Sequence, residues 1–155
     1  MSSVDPSNLP HQGSRLGARP QATDPVRDAF VRREEEFRRF LVSVVTPAFD
    51  ELRTFFRTAG KEARAQVTTR PGRPAEATIT VSDRGQVEFF CTIRAAISPE
   101  QATVLKRRPV PCDSDVEAVV DETVLGPSEA RSNATLITRA EVVSAVRTDY
   151  WVLRR

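Results

Sequence analysis

Apolar side chains recur in steps of mostly three and four along the first third of the chain, at Val26, Phe30, Phe37, Leu41, Val44, Ala48, Leu52, Phe55 and Ala59. That spacing is the period of a helix with one buried face. Asp24 and Pro25 suit its start: the carboxylate accepts from free N–H groups, and proline fits the first helical position, where its missing N–H would be unpaired. Gly60 provides a left-handed stop. Pro47 falls inside the run and removes one backbone bond, yet the apolar pattern continues across it, which predicts one long helix with a kink. Residues 32–39 read RREEEFRR and set Glu34 against Arg38 and Glu35 against Arg39, the order that stabilises a solvated helix face.

From Ala63 the period changes to two. A short strand is expected over residues 65–69, followed by a turn at residues 71–74, PGRP. The sharpest local signal comes next: alternation over residues 78–82, then Asp83-Arg84-Gly85, then alternation over residues 86–97. A three-residue hairpin loop wants a left-handed residue at its end, and Gly85 stands there. Ser82 opposite Gln86 then sets a register of Val81 with Val87, Ile79 with Phe89 and Ala77 with Cys91. All six share one side of the sheet with Ile93, Ala95 and Ile97. A further strand is expected over residues 102–107. Residues 115–125 carry two patterns, a valine-rich strand and a helix capped by Ser114 and Glu117, and the valines together with the sheet already in progress favour strand.

The chain closes on a helix opened by Thr138-Arg139-Ala140-Glu141, a capping box with Ile137 and Val142 as its hydrophobic staple. Val142, Val146, Tyr150 and Leu153 form its buried stripe. The fold class is therefore α+β: a long kinked N-terminal helix, an antiparallel sheet of about four strands and a C-terminal helix in one domain, residues 24–155. Residues 1–23 are rich in Ser, Pro, Gly and Gln and have too little apolar surface to offset the entropy of ordering, so a disordered tail is expected there.

Composition narrows the functional classes. There is no long apolar run and no apolar leader near Met1, so the expected setting is cytoplasmic, without membrane contact. Arginine outnumbers lysine by 21 to 2, which reads as the coding bias of a GC-rich bacterial genome. A net charge of +2 singles out no class of partner. Cys91 and Cys112 have no metal or disulfide spacing and are expected as free thiols.

Candidate chemistry is sparse. The one histidine is His11, in the tail, which removes Ser-His and Cys-His pairs and histidine-based zinc sites. Cys91 points inward on the hairpin register, where a thiol is inert. Asp113, Asp115, Glu117, Asp121 and Glu122 match no calcium loop and read as solvated charge. No catalytic, cofactor or metal residue is assigned, and a non-enzymatic protein is expected. Two binding readings remain. At ~100° per residue, the apolar positions from Phe40 to Ala59 cover roughly 200° of the first helix, where a helix on a sheet needs about 100°. The surplus marks one flank, either Phe49 and Phe56 or Phe40, as a contact to another protein chain, a second copy or a different subunit, and suggests an accessory subunit of a bacterial multi-protein assembly. The alternative is a modest nucleic-acid binder using Arg53, Arg57, Lys61 and Arg64 as a basic stripe, although no aromatic residues interleave it and Asp50 shares its face.

Overall fold

The computed structural model describes residues 24–110, 120–125 and 134–155. Its elements run α1 (Pro25–Phe40), a π turn (Leu41–Val45), α2 (Thr46–Thr58), β1 (Glu62–Arg70), β2 (Arg73–Asp83), β3 (Gln86–Ile97), β4 (Ala102–Pro109), β5 (Val120–Val124) and α3 (Arg139–Leu153). The strands form one antiparallel sheet in chain order, and the helices pack on one of its faces. The architecture is α+β as expected, with five strands rather than about four. The fifth, β5, lies in the segment that fitted both patterns. Among the described residues no helix is long and apolar enough to cross a membrane.

Asp24 caps α1, its Oδ1 accepting from the backbone N–H groups of Val26 and Arg27 at 3.0 and 3.4 Å. Along the exposed face Glu35 pairs with both Arg38 (2.9 Å) and Arg39 (3.6 Å), while Arg33 pairs with Glu36 (2.9 Å). Helical structure runs through Pro47 by widening one turn just before it. There the Thr46 N–H donates to the Leu41 carbonyl, five residues back, and the Thr46 hydroxyl donates to the same oxygen at 2.9 Å. The proline then stands in the first turn of α2, where no N–H is required.

The π turn decides which side chains face inward. A turn closed over five residues advances only about 80° per residue. With that correction the buried residues Phe37, Phe40, Leu41, Val45, Ala48, Phe49, Leu52 and Phe56 contract from a spread of nearly 200° to roughly 100°. One ordinary stripe results, and it rests on the inner residues of the sheet: Ala77, Ile79 and Val81 of β2, Phe89, Cys91, Ile93 and Ala95 of β3, and Val104 of β4. Tyr150 of α3 closes this core, edge-on to Phe56 at 4.8 Å and to Phe89 at 5.6 Å between ring centres. The capping box of α3 is complete, with Thr138 N–H donating to Glu141 Oε2 at 2.6 Å and Glu141 N–H to Thr138 Oγ1 at 3.3 Å.

The β2–β3 register differs from the expected one. Asp83 opposes Gln86, leaving a two-residue loop in which Arg84 (φ 50°) and Gly85 (φ 81°) are both left-handed. Loops of that geometry match the twist of the strands they join. Ser82 then opposes Val87 while Val81 opposes Phe89, so Glu88 is an additional residue bulged out of the ladder. Loop and bulge together slide β3 by two residues, which preserves the inward aim of Phe89, Cys91 and Ile93. Val87 alone changes side, pairing with Ser82 on the open face with 63% of its surface exposed. That open face is polar: Gln66, Thr78, Thr92, Arg107 and Glu122 form a row across all five strands.

Candidate interaction surfaces

The aromatic flank expected on the first helix is not a surface. Phe40, Phe49 and Phe56 are all buried inside this chain, because the π turn brings them onto the single inward face. What the helix does expose lies at Val26, Phe30 and Val31, ahead of the first buried residue, Phe37, and at Val42 in the π turn.

The basic stripe is not assembled either. Helical spacing relates Arg53 and Arg57, but α2 ends at Thr58 and the other two cations belong to different elements. Lys61, in the loop after the helix, points its ammonium at Asp83 (2.7 Å) and Glu88 (2.9 Å). Arg64 stands on the open face of β1, paired with Glu62 at 2.7 Å. Arg53 pairs with Asp50 at 3.5 Å. Of the acidic stretch, Asp121 lies 3.7 Å from Arg108, and Glu122 forms ion pairs with Arg94 (3.2 Å) and Arg107 (3.4 Å). Cys112, Asp113, Asp115 and Glu117 lie outside the described residues.

Two charge clusters escaped the sequence reading. Asp149 is buried on α3, with Lys106 Nζ at 2.6 Å and Arg108 Nη1 at 2.9 Å, both from the helix-facing side of β4. Two strand cations thus neutralise one helix carboxylate between the layers. The second cluster is built on the bulge, which turns Glu88 toward the helix layer. Glu88 forms an ion pair with Lys61 and accepts, at 2.6 Å, from Arg154, whose guanidinium also reaches the Tyr150 hydroxyl. The loop after α2, the β2–β3 hairpin and the end of α3 meet at this carboxylate. The carboxylates of Asp83 and then Glu88, which the Lys61 ammonium faces as donor, raise that ammonium above its ordinary value, and the bond from Lys61 holds the Asp83 carboxyl below its own. Nearby in the core, burial and then the Asp149 charge push the Cys91 thiol up to about 12, so thiolate is scarce at neutral pH.

A groove of about 440 Å³ runs between α2 and α3, lined by Glu51, Arg139, Val143, Ser144, Arg147 and Trp151. Its cations are already engaged, Arg139 with Glu51 at 3.6 Å and Arg147 over the Phe55 ring at 4.2 Å.

The free side of β1 is different. β1 is a nine-residue strand that hydrogen-bonds β2 along one side and has no partner on the other among the described residues. Its length is about 30 Å. Ala63, Ala65, Val67 and Thr69 face the helix side, so no charge points inward, and the strand contains no proline. Val67 leaves 53% of its surface exposed. Soluble proteins usually guard such edges with short strands, prolines, bulges, inward charges or charged side chains along the edge. Here the sole bulge near β1 is its irregular pairing beyond Thr68, where the additional residue belongs to β2. Glu62, Arg64 and Arg70 place their charges on the open face. The alternation of this segment predicts a strand, but whether a strand is an edge follows from sheet order, which local periodicity does not contain. Comparison with family models, curated proteins and solved structures found no match.

Proposed function

We propose that this protein is a non-catalytic binding subunit that joins another polypeptide by strand addition along the free side of β1. The observation that carries the reading is the nine-residue edge, free of proline and of inward charge and without a partner strand among the described residues. Outward N–H and C=O groups of β1 form a ready hydrogen-bonding template, and pairing a strand to it satisfies them at little cost in rearrangement. Main-chain pairing supplies the affinity, while alternate side chains of β1 supply selectivity. The burial and raised pKa of Cys91 favour a binding role over thiol chemistry. The dispersal of Arg53, Arg57, Lys61 and Arg64 over a helix, a loop and a strand gives no favour to a phosphate-tracking surface.

A photo-cross-linking side chain at Val67, tested in the producing cell, examines the reading directly. Val42, the most exposed apolar side chain of the π turn, serves as the control position. Adducts to a polypeptide from position 67 and none from position 42 are expected. Equal adducts from the two positions, or none from position 67, would overturn the proposal.

A further inference from the structure

The pattern of charges on β1 names a partner for its free edge. We infer that β1 pairs antiparallel with β1 of a second copy of this chain, about a twofold axis at Gln66 and perpendicular to the sheet. This rests on strand addition at the edge, and goes beyond it in naming the occupant and the register. Such an axis keeps both helix layers on one side and joins two five-stranded sheets into a continuous one. Directly opposed residues share a face, so the axis must pass through a residue, and three registers are close in overlap.

Side-chain chemistry separates the three. With the axis at Gln66, Glu62 stands opposite Arg70 of the second copy, twice by symmetry, and Arg64 opposite Thr68. On the helix side Val67 meets Ala65 of the second copy, again twice, which covers the exposed valine with apolar surface. Moving the axis to Val67 sets Arg64 against Arg70, a like-charge contact that destabilises paired strands. Moving it to Ala65 sets Glu62 against Thr68 and loses the ion pairs. The charges that would repel a random strand thus specify one register. Backbone pairing over a nine-residue strand gives a narrow seam, at the small end of specific interfaces, so the dimer is reversible and concentration-dependent.

Two experiments on the full chain test this. By sedimentation at low salt, association is expected to weaken about tenfold in Glu62→Arg and in Arg70→Glu, each of which places like charges in both symmetric contacts. The double variant restores both pairs and is expected to recover wild-type association. In a Cys112→Ser background, Gln66→Cys sits on the axis, where opposed Cα atoms lie about 4.5 to 5.5 Å apart, within disulfide reach. Mild oxidation is expected to give a covalent dimer. Arg64→Cys and Thr68→Cys place their sulfurs on strand positions about 14 Å from their own counterparts and are expected to stay uncoupled. A wild type that remains monomeric at millimolar concentration, single swaps without effect, or equal coupling at positions 64, 66 and 68 would each overturn the inference. Should a charge variant fail to fold, the cysteine series decides. Adducts from Val67 to a different protein, with no dimer, would leave strand addition standing and remove the second copy.

Discussion

Asp149 occupies a position where a hydrophobic side chain would pack without difficulty, three residues after Val146 on the inward stripe of α3. It is held there by Lys106 and Arg108, whose stems cover apolar surface while their charged ends meet the carboxylate. Taking one partner out of a buried cluster leaves the others uncompensated, which costs more than the cluster contributes intact. Asp149→Asn is therefore expected to lose about 3 kcal/mol of stability in urea denaturation. A loss below about 0.5 kcal/mol, the range of ordinary surface changes, would show that water solvates the two cations. Part of this site was legible in the sequence. Asp149 follows Val146 at helical spacing on the buried face, and Lys106 and Arg108 share the parity of Val104 in a strand. Three charged residues on inward positions were a signal, but their mutual neutralisation depends on how α3 crosses β4, which periodicity does not supply.

The β2–β3 hairpin shows what turn chemistry determines and where it stops. A glycine with positive φ at position 85 was readable because few residues tolerate that conformation. Arg84 shares it without the chemistry that favours it, so the loop closed one residue tighter than the sequence suggested, and Glu88 was displaced to compensate. Gly85→Val is expected to cost roughly 1 to 3 kcal/mol, from forcing a β-branched residue into the left-handed region. Arg84→Asn is expected to stabilise by about 0.5 kcal/mol, since asparagine before glycine is the preferred pair in such loops. Shifts of the urea midpoint in opposite directions for the two variants confirm the two-residue loop. An Arg84→Asn variant with an unchanged or lowered midpoint would count against it.

At the scale of the molecule, local periods identified nearly every element, whereas the order of strands in the sheet and the status of β1 as an edge emerged only from the assembled fold. The cluster at Glu88 is the clearest long-range device, joining chain positions 61, 88 and 154. Its dependence on pH follows from Lys61 and Asp83, because Arg154, raised further still, stays charged throughout. Asp83 is depressed from 3.8, so its contribution is full above that value and fades as pH falls through the lower folded value. Lys61 is raised from 10.5, so its contribution is full below that value and fades as pH rises through the higher folded one. The stability difference between wild type and Lys61→Met is expected to form a plateau across neutral pH that falls at both extremes. A difference that stays constant into strong acid would mean that Asp83 takes no part.

The π turn carries a consequence for the length of this chain. Four α-helical residues advance about as far along the axis, and turn through nearly the same angle, as the five residues Leu41–Val45. The turn is thus equivalent to a regular helix that has accepted one insertion without disturbing the phase of either half. Pro47 gives that insertion a use, because a regular helix would press the ring against the carbonyl of the preceding turn. Ser43, exposed within the turn, is the natural residue to remove. Its deletion alone is expected to cost about 3 kcal/mol, and the same deletion with Pro47→Ala to cost little, with Phe37, Phe40, Phe49 and Phe56 still facing inward. Insertion and proline then behave as one unit: a version of this helix without the extra residue is stable only if another residue stands at position 47.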